Sequence, residues 1–281
     1  MSYENLLLDS DGPVLKITVN RPEVRNAQSR LMLEEFDDAL MSAADDDSVR
    51  VVIVAGAGDH FSSGHDLGSP QELADREKRP YAPGIPGSYD RSRKQNLDNT
   101  LRWRDFPKPT IAQVQGYCIM GGLILATACD LIVASEDARF SDRTVRWGGP
   151  HVQFASLPWE IGFRKAKEFL FTGDWIDAHE AERLGLVNRV VPRESLDDET
   201  MKLAQRIALQ EPFALRISKF SVNQMQDEMG FRSGIASAFQ THALSIAYRR
   251  ERDAEQDAEQ GIARARARDQ RFGDFGDRRG R

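Results

Sequence analysis

Gln115-Gly-Tyr-Cys-Ile-Met-Gly-Gly-Leu-Ile124 is the stretch on which the fold of this chain turns. It sits between Thr110–Val114, an apolar strand pattern, and Leu123–Ala128, a short apolar helix pattern followed by the strand-like Leu131–Ala134. Gly121-Gly122 therefore falls at a strand-to-helix turn. There backbone N–H groups, reinforced by the helix N-terminal dipole, can be aimed at a negative oxygen. Taken alone the pair also answers to turn geometry, because glycine is permissive. Upstream, His60-Phe-Ser-Ser-Gly-His-Asp-Leu67 is a second glycine turn, directly after Val51-Val-Ile-Val-Ala55. That apolar run is expected of a strand covered on both faces.

Further out, Leu15, Ile17 and Val19 alternate with Lys16 and Thr18, as in a half-buried strand. Leu33, Phe36 and Leu40 then recur at helical spacing, and Asp45-Asp-Asp-Ser48 closes that helix. The two strands are too far apart for a hairpin, so a helical crossover joins them. Ser69–Asn96 shows no clean period and carries Pro70, Pro80, Pro83 and Pro86, which predicts a functional or disordered loop. Asp177-Ala-His-Glu180 has capping-box spacing, with Gly185 as the stop. A short strand follows over Val187–Val191, then helical patterns over Ser195–Leu209 and Phe213–Met225. From Gly234 the chain reads as helical, then as an Arg/Asp/Glu/Gln-rich tail without an apolar stripe.

The chain has 281 residues, 40% hydrophobic and 29% charged, with 38 Lys+Arg against 44 Asp+Glu and a net charge of −6. That balance argues against general nucleic-acid binding, which favours a basic footprint. The longest apolar runs fall far short of the ~20 residues of a membrane span. The N-terminal residues lack a basic and apolar leader pattern. Cys118 and Cys129, the two cysteines, sit among apolar neighbours and read as free thiols of a reducing compartment, so a cytoplasmic protein is expected. The five histidines are scattered, and no HExxH, CxxC, phosphate-loop or GxGxxG pattern occurs. No metal site and no separate cofactor are expected.

Taken together, four segments resemble the crotonase (enoyl-CoA hydratase/isomerase) superfamily. They are Asn20-Arg-Pro-Glu-Val-Arg-Asn-Ala27, Phe61-Ser-Ser-Gly-His-Asp-Leu67, Gln115-Gly-Tyr…Met-Gly-Gly122 and Cys129-Asp-Leu-Ile-Val-Ala-Ser135. Phe171-Thr-Gly173, Glu180-Ala-Glu-Arg-Leu-Gly-Leu-Val-Asn188 and Val190-Val-Pro192 extend the match, so that it spans roughly residues 12 to 225. The resemblance implies an α/β fold, a crotonase-like spiral of ββα units over residues 1–195. A C-terminal helical trimerisation region over 196–250 would follow, then a charged tail over 251–281, either a solvated helix or disordered. It further implies a homotrimer or dimer of trimers acting on an acyl-CoA, with coenzyme A entering as part of the substrate. The backbone N–H groups of His65 and Gly121 would bind the thioester oxygen. Arg25 and Ala27, with Ser63 and Asp66, would line the nucleotide part of coenzyme A. Lys219 resembles the basic residue that approaches its phosphates, although a solvated helix lysine would look the same.

The pattern breaks at the acids. Hydratases of the family hold a water between two glutamates, and in register those positions are Ile124 and Thr144. Ile124 neither accepts nor donates a proton, and Thr144 has no useful pKa near neutrality. Asp142 would share a face with Thr144 if the segment were extended, and is one candidate acid/base; a turn aspartate paired with Arg143 or Arg146 is the alternative. His151, after Gly148-Gly-Pro150, is another. Glu160 and the His65 side chain are further possibilities, against a helix first-turn carboxylate and a purely main-chain role. Asp66 and Asp130 are expected to order their turns. Three functions remain open: an enoyl-CoA hydratase/isomerase-type enzyme with substitute polar groups, a thioester or β-dicarbonyl C–C hydrolase, and a non-catalytic acyl-CoA-binding homologue.

Overall fold

The computed structural model describes residues 3–254, so the charged tail expected over 251–281 lies outside the described residues beyond Ala254. Strands β1 (Leu6–Asp11) and β2 (Val14–Val19) form an antiparallel hairpin, and α1 (Arg30–Asp45) crosses from β2 to the parallel β3 (Val51–Gly56). Ser29 caps α1 by accepting from the Met32 N–H. Next come α2 (Pro70–Lys78), α3 (Gly84–Arg93) and α4 (Asn99–Arg104), then β4 (Thr110–Val114), β5 (Tyr117–Ile119) and α5 (Gly121–Thr127). The unit repeats as β6 (Leu131–Ser135), β7 (Arg139–Ser141), α6 (Leu157–Ile161) and α7 (Phe163–Thr172). The order ends with β8 (Ile176–Asp177), α8 (Ala178–Leu184), β9 (Arg189–Val191), α9 (Leu196–Ala208), α10 (Pro212–Glu228) and α11 (Phe231–Ala254).

Two sheets result. One runs β1-β2-β3-β4-β6-β9, parallel from β2 onward; the other is β5-β7-β8. From β4 to β5, and from β6 to β7, the chain steps from the first sheet to the second before entering a helix, which makes the turns of the spiral. All of β3 is buried, as its apolar run requires. Val52 and Val54 face the core shared with Leu33, Phe36 and Leu40 of α1 and Leu123 of α5. Val51 and Ile53 face a second core with Leu196, Ala204 and Ala208 of α9. The helix that opens the C-terminal section thus covers the far face of the sheet. By contrast α10 buries none of its residues: Phe213, Phe220 and Met225 lie exposed along it, and Met229 just beyond its end.

Two expectations need correction. Ser69–Asn96 is not a structureless loop: it holds α2 and α3, and a π-helical turn over Lys94–Asp98 leads into α4. Ser69 caps α2, accepting from the Glu72 N–H, and Pro70 takes the first-turn position where its missing N–H costs nothing. The helix is pinned by polar contacts: the buried Glu72 accepts from the Arg30 N–H (2.9 Å), Arg76 Nε (2.7 Å) and the Tyr81 hydroxyl (3.2 Å). No apolar period was there to be read. Nor are Asp142 and Thr144 neighbours on a strand. β7 ends at Ser141, and Asp142 turns the chain by accepting from the Thr144 N–H (2.9 Å) as a 3-10 turn opens.

Candidate active site

The two glycine turns meet. Gln28 pairs with the segment around His65 as an isolated parallel bridge, its N–H donating to the Gly64 carbonyl (2.7 Å) and its carbonyl accepting from the Asp66 N–H (2.9 Å). Pairing through residues 64 and 66 turns the intervening His65 N–H to the opposite side. The Gln28 side-chain amide donates to the Gly121 carbonyl (2.9 Å), so one residue ties both turns together. Gly64 has φ +94°, and a Cβ there would stand 2.9 Å from the Ile119 carbonyl oxygen and 3.1 Å from the Gly121 nitrogen. The approach of the two backbones is thus too close for any side chain. Met120, just before Gly121, holds φ 51° and ψ −110°, a conformation that costs a non-glycine residue about 1–3 kcal/mol and tends to persist at functional sites. Among the described residues, neither the His65 N–H nor the Gly121 N–H has a hydrogen-bond partner.

Side chains surround these amides unevenly. His65 is half-buried, and its Nε2 lies 3.1 Å from Gln153 Oε1. Burial lowers its pKa, against the bond to Gln153 and the charge of Asp142. Asp142 is fully buried, and its carboxylate accepts from the Thr144 N–H and hydroxyl and from the Val152 N–H (2.9 Å). With both oxygens engaged it anchors the loop over 142–152. His151 is also tied up: Nδ1 bonds the Val152 carbonyl (2.7 Å) and Nε2 the Thr241 hydroxyl (3.2 Å). His242 of α11, which the sequence did not single out, donates from Nδ1 to the His151 carbonyl (2.6 Å). Burial pushes its pKa down to about 4, with the charges of His151, Arg249 and His65 acting in the same direction. Three of the scattered histidines therefore share one corner. Ile124 lies in an apolar cluster with Leu97, Val152, Phe154, Phe231, Ile235 and Phe239. Glu160 carries a pKa raised to about 7 by burial, with Arg104 pulling the other way.

The segments expected to line coenzyme A lie side by side. The Ser63 N–H donates to the Arg25 carbonyl (2.9 Å) and its hydroxyl to the Val24 carbonyl (3.3 Å); Arg25 is exposed and Ala27 buried. Asp66 is a turn anchor. Burial would raise its pKa, but bonds from Ser69, Gly68 and Arg21 outweigh it, and the buried Arg21 pairs with it at 2.9 Å. Lys219 is held by Asp130 (2.8 Å) and the Lys108 carbonyl (3.2 Å), tying α10 to the turn before β6. Asp130 also accepts from the Thr110 N–H (2.8 Å), so it orders that turn. Among the described residues no group of three His, Cys, Asp or Glu side chains is arranged to hold a metal ion.

The architecture and the clamped turns define a spiral α/β protein whose polar site hangs from main-chain amides. Residues 9–251 match the enoyl-CoA hydratase/isomerase family, and the chain belongs to that family, within the crotonase superfamily. It is 44% identical over 258 residues, 88% of this chain and 80% of the relative, to EchA13 of Mycobacterium tuberculosis, which carries the name of an enoyl-CoA hydratase. The fold superposes on that of a probable enoyl-CoA hydratase from Mycobacterium smegmatis with a TM-score of 0.80 at 45% identity, covering 87% of this chain and 95% of that one. With an enoyl-CoA hydratase/isomerase from Xanthobacter autotrophicus the TM-score is 0.82 at 34% identity, covering 95% and 99%. The protein is an enoyl-CoA hydratase/isomerase-like enzyme.

Proposed function

We propose that this enzyme binds an acyl-CoA thioester with its carbonyl oxygen between the His65 and Gly121 amides, stabilises the enolate, and works without the usual pair of glutamates. The observation that carries the reading is the pair of partnerless N–H groups on two turns that one glutamine ties together. A fixed donor binds the oxygen best when it is charged, and one such donor is worth about 2.7–4 kcal/mol. Ile124 in its apolar cluster and Thr144, whose hydroxyl bonds Asp142, leave no carboxylate at either hydratase position. The acyl group or the mechanism is therefore non-standard, and hydration of a short enoyl-CoA is slow. Arg25, Ala27 and Ser63 line the nucleotide end, coenzyme A serves as part of the substrate, and Lys219 reaches a phosphate only by leaving Asp130. Both cysteines are free, in keeping with a reducing cytoplasm.

The test compares Gly121→Pro with Gly121→Ala. A Cβ at this position meets Gln28 Oε1 at 2.5 Å and His65 Nδ1 at 2.9 Å, so both variants carry that crowding; proline alone removes the N–H and sets its ring Cδ in place of the hydrogen. Gly121 is the first residue of α5, where proline is tolerated. Across an acyl-CoA panel, the proline variant should turn over about 100-fold or more below the alanine variant. Equal rates would reject the assignment. Binding of several acyl-CoAs with no product from any would favour the non-catalytic alternative, and net thioester or C–C hydrolysis the hydrolase.

A further inference from the structure

This inference rests on the acyl-CoA reading above. We propose that the His65 imidazole is the base that removes the proton next to the thioester carbonyl, and that Gln153 is the positioning residue that fixes its tautomer. Gln153 presents its carbonyl oxygen to Nε2 at 3.1 Å, so Nε2 carries the hydrogen and Nδ1 keeps its lone pair. Nδ1 has no hydrogen-bond partner among the described residues. The free edge of the ring borders the turn that offers the second amide: Nδ1 and Cε1 lie 2.9 Å and 3.0 Å from where a Cβ on Gly121 would stand. One residue thus places an amide for the oxygen and a lone pair for the neighbouring carbon in the same corner.

The groups packed around His65 leave it this role. From the turn after β7, Asp142 has both oxygens engaged. On the same loop, both ring nitrogens of His151 are engaged. From α11, His242 has its Nδ1 engaged on the His151 carbonyl. Gln28, before α1, is neutral and bonded to Gly121. Burial keeps His65 itself unprotonated near neutrality, the form a base needs. In the step, the Cα–H bond breaks and its proton passes to Nδ1. Its electron pair forms the C=C bond of the enolate, and the carbonyl pair moves to the oxygen held by the two amides. The imidazolium then returns a proton to carbon, so no further reactant is consumed.

Proton NMR of butyryl-CoA in deuterium oxide reads this step without knowledge of the physiological substrate. The wild type should wash deuterium into Cα. In His65→Ala and the more conservative His65→Asn, exchange should fall about 100-fold or more, with butyryl-CoA affinity within threefold, since both keep the backbone N–H. Gln153→Leu should slow exchange, and 15N spectra should show the His65 hydrogen on Nε2 in the wild type and redistributed in this variant. The wild-type rate should rise with pH and level off, its midpoint lying below the ordinary histidine pKa of about 6.5. Undiminished exchange in either His65 variant, a wild type that binds without exchange, or a hydrogen on Nδ1 would overturn the proposal and leave the amide pair standing. A wild type that fails to bind butyryl-CoA would overturn the acyl-CoA reading, and this inference with it.

Discussion

Ile124 is 4% exposed and packs with Val152, Phe154 and Phe239, while the two neighbouring turns each keep one amide open. A side chain that cannot move a proton stands where the family resemblance puts a carboxylate, beside the two amides proposed to hold the thioester oxygen. Gly121 and Ile124 can be placed from the glycine-turn motif that holds them, and Thr144 by register from it. Gln28, Gln153 and His242 were not legible. They meet their partners across 93, 88 and 91 residues, and no local spacing records such contacts. His242 also makes a prediction. Its folded-state pKa near 4 lies below the ordinary value of 6.5, so between these pH values the unfolded chain takes up a proton that the folded chain refuses. Stability from this residue is full above pH 6.5 and is lost as pH falls toward 4, by about 3 kcal/mol in all. Urea unfolding from pH 8 to 4.5 should show that loss in the wild type and a shallower one in His242→Gln. Equal slopes would contradict it. Glu160 acts in the opposite sense: its raised pKa means stability falls as pH rises from 4.5 to about 7.

Among the elements, those with an apolar period were read correctly. β3 shows an unbroken apolar run and is buried on both faces, and Asp177 caps α8 as its spacing predicts, accepting from the Glu180 N–H. α2 escaped because the side chains that fix it are polar. It hangs from the loop carrying His65 through Asp66, which bonds the Ser69 N–H (2.7 Å) and hydroxyl (2.6 Å) and pairs with the buried Arg21. Removing one partner of a buried ion pair leaves an uncompensated charge and costs about 3–5 kcal/mol. Asp66→Ala should lower the unfolding free energy by about that much in urea titrations and slow turnover by loosening the His65 turn. A change below 1 kcal/mol would show that the pair is not the anchor described here.

At the scale of the molecule, the spiral brings three distant parts of the chain to one place: the segment at Gln28, the turn at His65 and the start of α5. The order of the motifs made this convergence legible through the family resemblance, but not the residue that enforces it. α10 exposes Phe213, Phe220 and Met225 in the single chain, with the exposed Met229 just beyond its end. No helix among the described residues is long and apolar enough to cross a membrane. The proposed function rests on one event, the gripping of a thioester oxygen by two main-chain amides. Isotope-edited infrared spectroscopy of butyryl-CoA labelled with 13C at its thioester carbonyl observes that grip directly. On binding, the carbonyl band should move to lower frequency than in water, keep most of that shift in Gly121→Ala and lose much of it in Gly121→Pro. A bound carbonyl band at its aqueous position in the wild type would contradict the account.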